Sequence, residues 1–278
     1  MHKWDPVEYE RSSSAQYRWA LELISQIDIA PDKHILDIGC GDGKITAHLA
    51  AAVPLGRVMG IDLSSEMIRF AQAKFSSKDY PTLSCHTLSY HTLSYHTLSF
   101  QVGDATCLPF CEEFDLAVSF ACLHWIKDIP AVLKGVCRSL RPGGRILFQC
   151  GGRGNAAKLL DVTEEITRSE QFAGYFQGFR FPYYFYGPDD YDIWLRQAGL
   201  EPIRVELVPK DMVHQGQLGL EGFIRSTWLP YLERLPESLR AQFVSEVAGR
   251  YIDRYPLDDQ GKSHVQMVRL EAEAERSG

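Results

Sequence analysis

The chain has 278 residues, of which 45% are hydrophobic and 23% are charged, and its formal net charge is −7. A chain of this size and composition can bury one large core, so we expect a single elaborated globular domain over residues 1–278. The negative charge leaves no general cationic field for phosphate backbones or anionic lipid, which argues against nucleic acid and membrane as partners.

Two further features predict where the protein resides. The opening residues, MHKWDP, lack the apolar region of a signal peptide, and no stretch approaches the ~20 apolar residues that span a bilayer. The seven cysteines contain no Cys-x-x-Cys pair, so neither a disulfide framework nor a zinc site is indicated. We therefore expect a cytoplasmic protein with reduced thiols that acts as a monomer or weak dimer.

Short apolar runs alternate with amphipathic segments through the first half of the chain. Helical spacing predicts helices over 14–27, 44–52, 65–75 and 129–139, the third capped by Ser64 or Ser65. The apolar runs predict strands over 34–38, 57–62, 98–102, 114–120 and 145–150, the last preceded by a turn at 141–144. This alternation predicts a Rossmann-like, doubly wound, mostly parallel α/β sheet.

The last third of the chain is less regular. It carries an aromatic stretch over 179–186, and we expect helices at 188–198, 220–232 and 236–255 and strands at 202–208 and 264–271. No linker rich in Pro, Gly or Ser separates this part. We therefore expect residues 151–278 to complete the sheet and to form a helical and aromatic cap, with the binding core at 30–150.

Residues 82–100 repeat a five-residue unit, His-Thr-Leu-Ser-Tyr, with little change. A period of five matches neither the strand period of 2 nor the helix period of 3.6. We therefore interpret residues 82–97 as a tandem-repeat insertion in a loop. Its histidines, His86, His91 and His96, could be interpreted as a metal tract, but the insertion contains no acidic residue and no Cys-x-x-Cys pair, so no metal site is predicted.

The most distinctive local feature is the glycine-rich turn after the first predicted strand, Asp37–Gly43. Gly39, Gly41 and Gly43 let the backbone turn sharply and approach a ligand closely, because no Cβ is in the way. The dinucleotide fingerprint Gly-x-Gly-x-x-Gly would need a third glycine where this chain has Lys44. The turn thus indicates a nucleotide-like ligand but disfavours a nicotinamide or flavin cofactor.

Two acids follow the next strands. Asp62 ends the second strand, about twenty residues beyond the glycines, where a carboxylate can accept both hydroxyls of a ribose. Asp104, in Gly103-Asp104-Ala105, follows the third strand and can accept from an adenine amino group. Helix capping or turn formation is the alternative role for these acids.

These segments together resemble a known family. Asp37-x-Gly39-x-Gly41-x-Gly43, Asp62, Gly103-Asp104-Ala105, Phe114-Asp115-Leu116 and Leu140–Gly144 are similar to the successive motifs of class I S-adenosylmethionine-dependent methyltransferases, over residues 34–150. The resemblance implies seven strands with the last antiparallel, and S-adenosyl-L-methionine as cofactor. It implies cofactor contacts from Asp37, Gly39, Cys40, Gly41, Asp62, Leu63, Met67, Asp104, Ala105 and Phe120.

Segments outside those motifs resemble two narrower families, the trans-aconitate and the juvenile hormone acid methyltransferases. They are Trp4-Asp5-Pro6-x-x-Tyr9, Ser12-x-Ser14-x-Gln16, Leu123-His124-Trp125 and Arg254–Leu257. Both families methylate a carboxylate oxygen, so the resemblance implies a small-acid acceptor oriented by Gln16 and Trp125. The repeat at 82–100 is a departure from both families.

Other acceptors stay open on the sequence alone. A phenol, amine or carbon acceptor would need a base, for which His124 or a tyrosine of the aromatic stretch is the candidate. A second carboxylate on the acceptor would suit Arg180 or Arg225. A cofactor-binding protein without catalysis on the same fold is the remaining alternative.

Overall fold

The computed structural model describes residues 14–75 and 98–278, so the repeat insertion at 82–97 lies outside the described residues. The helices are α1 Ser14–Ile24, α2 Lys44–Ala52, α3 Ser65–Lys74, α4 Ile129–Ser139, α5 Ala157–Thr167, α6 Pro188–Ala198, α7 Gly216–Thr227, α8 Leu229–Leu232 and α9 Glu237–Arg254. The strands are β1 His34–Ile38, β2 Arg57–Asp62, β3 Leu98–Val102, β4 Phe114–Phe120, β5 Leu140–Gly151, β6 Leu200–Gln215 and β7 Lys262–Arg276.

The seven strands form one sheet in the order β3-β2-β1-β4-β5-β7-β6, with β7 antiparallel. This confirms the predicted Rossmann-like architecture. The strand order reverses at β1, because β2 pairs with one edge of β1 and β4 pairs with its other edge. A reversal of this kind leaves a crevice beyond the carboxyl ends of the strands, where open α/β sheets bind their ligands.

The central strand β1 is buried from Ile35 to Ile38, because it has a neighbouring strand on each side and both of its faces are covered. Ile35 lies opposite Val58 of β2 and Leu116 of β4, and all three are buried. Parallel strands covered on both faces lose the alternation of polar and apolar residues that marks a half-exposed strand. The location of β1 was therefore predictable from composition and flanking glycines.

The predicted turn at 141–144 is part of β5 and forms an irregularity within it. Phe114 of β4 lies opposite Leu140, whereas Leu116 lies opposite Arg145, so four residues of β5, 141–144, correspond to the single residue Asp115 of β4. Gly143 has a φ of 74°, which glycine adopts readily. The turn chemistry was correctly identified, but the strand continues through it.

The last two strands are longer than predicted, at Leu200–Gln215 and Lys262–Arg276. Charged residues such as Lys210 and Glu273 interrupt their apolar pattern. A strand predicted from the sequence ends where its apolar pattern ends. The real strands continue further, because pairing with neighbouring strands of the sheet holds them.

The described chain divides into two compact units. The larger holds the described residues up to Cys150, with Pro188–Glu206 and Glu271–Gly278; the smaller holds Gly151–Gly187 and Leu207–Leu270. The first boundary matches the expected border between binding core and cap, but α6 belongs to the larger unit, and β6 and β7 contribute residues to both. The single-domain interpretation stays a prediction.

In the larger unit, α1 packs on one face of the sheet. Ala20, Leu23 and Ile24 join Ile35 and Val118 in one buried apolar cluster. Full burial of such side chains contributes roughly 1.5–3 kcal/mol each. The helix is thus held by its apolar stripe, as its spacing predicted.

In the smaller unit, much of the aromatic stretch packs into a cluster with α8 and α9. The Phe181 ring stacks on Trp228 at 5.4 Å and on Tyr231 at 5.2 Å between centroids. Phe176 stacks on Phe243 of α9 at 5.6 Å. Phe181 is half-buried and Trp228 is buried, so these rings act chiefly as packing.

No helix among residues 14–75 and 98–278 is long and apolar enough to cross a membrane.

Candidate functional site

The glycine-rich turn leads from β1 into α2, and each of its three glycines has a left-handed backbone conformation. Gly39, Gly41 and Gly43 have φ values of 72°, 54° and 79°. The N–H groups of Gly39 and Cys40 both donate to the carbonyl of Ile61, at 2.8 and 3.0 Å, which ties the turn to the end of β2. These bonds fix the turn against the sheet edge.

Two of the glycines are also required by space. A Cβ on Gly39 would lie 2.2 Å from Sγ of Cys122, and one on Gly43 would lie 2.8 Å from the ring of Phe100. Gly43 therefore permits the close packing of helix on strand that a third fingerprint glycine would give. The dinucleotide pattern would have this glycine at position 44, which is a lysine here. In this chain the close contact between helix and strand is made one residue earlier, at Gly43.

Asp62, at the end of β2, is joined to the glycine turn. Its Oδ2 accepts a hydrogen bond from the Gly41 N–H at 3.0 Å, and its Oδ1 accepts one from the Ser64 N–H at 2.8 Å. Burial raises the pKa of Asp62, while these two bonds lower it. The carboxylate is thus held beside the turn with a lone pair left on each oxygen, and its contact with a ribose stays a prediction.

Asp37, at the end of β1, lies beneath the same turn and is 2% exposed. Its Oδ2 accepts a hydrogen bond of 2.7 Å from the hydroxyl of Thr46 in α2. The pKa of Asp37 is raised to about 7, chiefly by burial; the Thr46 bond lowers it, and the charges of Asp62 and Asp42 raise it. A buried acid of this kind would favour a cationic ligand.

Sequence reasoning missed Thr46 and Ser119. Thr46 is fully buried and binds Asp37, and Ser119 of β4 donates from its hydroxyl to the Ile38 carbonyl at 2.8 Å. The signal for Thr46 was its place in the first turn of the helix that follows the glycines. Ser119 had no such signal, because its partner lies on another strand.

The remaining predicted cofactor residues differ in their burial. Met67, Ala105, Phe120 and Cys40 are buried, whereas Leu63 is 51% exposed. Asp104 is exposed, and its Oδ1 accepts hydrogen bonds from the Thr106 N–H and hydroxyl, both at 2.8 Å. Asp104 therefore has the turn-forming role that was the alternative for it. Its contact with adenine stays a prediction.

The segment after β4 carries the predicted acceptor side chains. Ala121 has a left-handed φ of 54°, and Leu123–Trp125 form a single 3-10 turn. His124 and Trp125 are half-buried, with ring centroids 6.1 Å apart. Leu123 is fully buried and anchors the turn.

Gln16 lies near the start of α1. The Trp19 carbonyl, one turn later, accepts from the Gln149 side chain at 3.5 Å, and Gln149 lies opposite Phe120 at the end of β4. The middle of α1 therefore contacts β5 near its carboxyl end. Its Oε1 is buried and accepts no hydrogen bond from any residue among 14–75 and 98–278. The pairing of Gln16 with Trp125 stays a prediction.

The two candidate arginines differ in their surroundings. Arg225 forms an ion pair with Glu221 at 3.5 Å, one turn earlier on α7, whereas Arg180 is exposed. In the described part of the chain, no group of three or more His, Cys, Asp or Glu side chains is placed to hold a metal.

Comparison with known proteins decides the family. The methyltransferase domain family matches residues 36–148. An uncharacterized methyltransferase of Schizosaccharomyces pombe is 30% identical over 211 residues, which cover 74% of each chain. The chain belongs to the class I S-adenosylmethionine-dependent methyltransferases. It is therefore an enzyme whose cofactor is S-adenosyl-L-methionine.

Two further relatives extend this comparison. The methyltransferase is 28% identical to a trans-aconitate 2-methyltransferase of Deinococcus radiodurans over 257 residues, 91% of this chain and 92% of that one. It also shares the fold of a Haemonchus contortus phosphoethanolamine N-methyltransferase determined with S-adenosyl-L-methionine. The TM-score there is 0.60 at 19% identity, over 98% of this chain and 57% of that one.

The geometry of the turn fits the cofactor of this family. Left-handed glycines leave open backbone where a Cβ would otherwise stand, and the Asp62 carboxylate lies beside them. The buried carboxyl of Asp37 would gain from a positive charge, and the cofactor carries an ammonium and a sulfonium. The methyltransferase thus combines a cradle for a nucleoside with an acid suited to a cation.

Proposed function

We propose that this methyltransferase transfers a methyl group to a carboxylate oxygen of a small organic acid. The observation that carries the proposal is the extent of its similarity to trans-aconitate 2-methyltransferase. That similarity covers 91% of the chain, well beyond the methyltransferase domain at 36–148. Because the acceptor is recognised largely outside the cofactor motifs, similarity in the outer segments bears on the acceptor class.

In this proposal the cofactor lies along the carboxyl ends of β1, β2 and β4. Asp62 would accept the ribose hydroxyls, Gly39 and Gly41 would lie against the methionine part, and Asp37 would face its positive charge. When bound, S-adenosyl-L-methionine supplies the electrophilic methyl group. Contacts are also proposed for Cys40, Leu63, Met67, Asp104, Ala105 and Phe120.

The reaction asks little of the acceptor site beyond orientation. Methyl transfer is an in-line displacement, and a carboxylate is already ionised at neutral pH, so no general base is needed. Holding the acceptor oxygen in line and excluding water can lower the barrier by several kcal/mol. Positioning groups, not proton-transfer groups, are what such a site requires.

Gln16 and Trp125 are the proposed positioning groups. Trp125 carries an indole N–H, and the buried Oε1 of Gln16 accepts no hydrogen bond from the described residues. Because the two ends of an amide are nearly isosteric, a half-turn of this group presents an N–H donor at the same position. Two N–H donors on one carboxylate would orient it toward the methyl group.

The main alternative is a phenol, amine or carbon acceptor with His124 as base. His124 is half-buried beside Trp125, which supports it as the candidate base if Trp125 contacts the acceptor. This alternative predicts an activity that rises with pH as the imidazole loses its proton. Methylation of a carboxylate has no such requirement.

A product assay separates these reactions. The protein would be incubated with S-adenosyl-L-methionine labelled in the methyl group and with panels of di- and tricarboxylic acids, phenols and amines. We expect label in methyl esters, which mild base hydrolyses to labelled methanol. Base-stable product would overturn the carboxylate proposal, and cofactor binding without turnover on any panel would favour a non-catalytic protein.

Matched substitutions test the acceptor residues. Gln16→Glu replaces the amide with a negative charge of the same shape, so KM for an acid acceptor should rise at least tenfold, which corresponds to about 1.4 kcal/mol. Trp125→Phe removes the N–H but keeps the ring, and should also raise KM. The controls are Gln26→Glu, on an exposed residue after α1, and Trp194→Phe on α6. Equal KM values in all four variants would remove the acceptor assignment.

A further inference from the structure

Ala121, the first residue after β4, has an unfavourable backbone conformation. It precedes the segment Cys122–Trp125, called the acceptor segment here because it carries the proposed acceptor side chain of Trp125. Its φ is 54°, and in the described part of the chain only Glu112 and Ala156 share a positive φ without being glycine. Left-handed geometry costs an L-residue roughly 1–2 kcal/mol. Such strain persists only where surrounding contacts impose it, and it is enriched at functional sites.

Contacts on both sides of Ala121 impose this conformation. The Ala121 N–H donates to the Gln149 carbonyl at 2.8 Å, which keeps Ala121 bound to β5 after β4 has ended. The next residue, Cys122, lies directly over Gly39, with its Cβ 2.5 Å from where a Cβ of Gly39 would be. Leu123 is then fully buried. Because Ala121 is left-handed, it can bond to β5 while the next residue, Cys122, packs on the glycine turn.

The same left-handed conformation directs the acceptor segment. The backbone N–H of Trp125 donates to the Cys122 carbonyl at 2.9 Å, and the backbone N–H of Ile126 donates to the Leu123 carbonyl at 3.0 Å. Trp125 is therefore hydrogen-bonded to the residue that packs on Gly39.

We propose that Ala121 is a positioning residue, whose left-handed conformation fixes the distance and angle between the glycine turn at Gly39 and the acceptor side chain of Trp125. The inference rests on the proposed function only in taking Trp125 as an acceptor contact. In-line transfer is sensitive to small displacements, so a rigid connection between the two halves of the site contributes to rate. Ala121 does not itself touch either substrate in this proposal.

The choice of alanine fits this role. Glycine would adopt the same φ at lower cost, but it would leave the backbone free to adopt other conformations. A β-branched residue would be excluded from the left-handed region. Alanine keeps the segment in one conformation when neighbours hold it there.

The test compares Ala121→Gly with Ala156→Gly. Ala156 is also a left-handed alanine, with φ 52°, but it precedes α5 in the smaller unit. Both variants should retain or gain thermal stability, because both relieve strain. Ala156→Gly should keep the wild-type kcat and KM, whereas Ala121→Gly should lose at least tenfold in kcat/KM for whichever acceptor the product assay identifies. Ala121→Val should lose more, with a lower melting temperature.

A second readout needs no acceptor. Amide hydrogen exchange would be followed with and without S-adenosylhomocysteine. In the wild type and in Ala156→Gly, the ligand should protect both residues 39–43 and residues 121–126. In Ala121→Gly, protection should remain at 39–43 and be lost at 121–126.

The inference and the proposed function fail in different ways. Methylation of an amine or phenol would overturn the carboxylate proposal, while the loss of kcat/KM in Ala121→Gly would still support the positioning role. The positioning role is overturned if Ala121→Gly matches Ala156→Gly in kcat/KM and retains protection at 121–126.

Discussion

The hydroxyl of Thr46 donates a 2.7 Å hydrogen bond to Oδ2 of Asp37, and both side chains are buried beneath the glycine turn. This bond favours the ionised carboxylate, against the burial that raises the pKa of Asp37 to about 7. The acid is therefore near its midpoint at neutral pH. Small changes in its surroundings should alter both stability and cofactor binding.

The first prediction concerns pH and stability. The folded pKa of Asp37, about 7, is above an unfolded value of about 3.9, so the folded state binds more protons between these limits. The contribution of Asp37 to the free energy of unfolding should thus fall as pH rises through this range, by up to about 1.4 kcal/mol per pH unit. Urea unfolding from pH 4 to 8 would measure it. Asp37→Asn should flatten the curve, and an unchanged slope in that variant would contradict the assignment.

The second prediction concerns Thr46→Val. Loss of the hydroxyl removes the bond that lowers the pKa of Asp37, so the fall in unfolding free energy should extend to higher pH than in the wild type. Stability should also drop by about 1–3 kcal/mol, because a buried acceptor loses its donor. Thr163→Val is the control, since Thr163 is equally buried but donates to the Leu159 carbonyl in α5. It should lower stability without moving the pH dependence.

The third prediction separates backbone strain from steric overlap in the glycine turn. Gly39 and Gly143 have nearly equal φ values of 72° and 74°, but a Cβ on Gly39 would meet Cys122 whereas one on Gly143 would meet nothing within 4 Å. Gly143→Ala should cost about 1–2 kcal/mol. Gly39→Ala should cost clearly more and abolish binding of S-adenosylhomocysteine, as measured by thermal denaturation and calorimetry. Similar costs for the two variants would mean that Cys122 moves away easily.

The fourth prediction concerns a histidine on β7, in the smaller unit. His264 bonds Asp211 at 2.7 Å and Asp258 at 3.1 Å, and these hydrogen bonds raise its pKa above the usual value of 6.5. Its stabilising effect should be complete below the unfolded pKa and lost as pH rises through the folded one. The urea midpoint of His264→Gln should therefore differ from wild type mainly at acidic pH.

Much of the site could be predicted because its parts are local in sequence. The glycine turn, the acid ending β2 and the Ser64 cap each depend on a few neighbouring residues, and the Ser64 side chain does accept from the Met67 N–H. The Gly41 N–H donates to the Asp62 carboxylate, so the turn and this acid adjoin, while their contacts with the cofactor stay a prediction. The turn-forming role of Asp104 was also anticipated, as the alternative to a ligand contact.

Other features depend on residues that are distant along the chain. Neither the left-handed φ of Ala121 nor the packing of Cys122 on Gly39 leaves a mark in the sequence, since alanine and cysteine favour neither arrangement. The lengths of β6 and β7 were underestimated for a related reason, because sheet pairing overrides their broken apolar pattern.

The α/β order of elements and the glycine turn can be derived from the sequence alone, because helix and strand periodicity and turn chemistry act over a few residues. The class of cofactor was implied by the resemblance of the motifs to a known family. Three other features are visible only in the tertiary structure: the burial that raises the pKa of Asp37, the lack of room for a side chain on Gly39, and the left-handed φ of Ala121. These properties arise from burial and from contacts between separate strands. Burial changes the free energy of a charge, and close packing restricts a backbone, only once the sheet has brought those strands together.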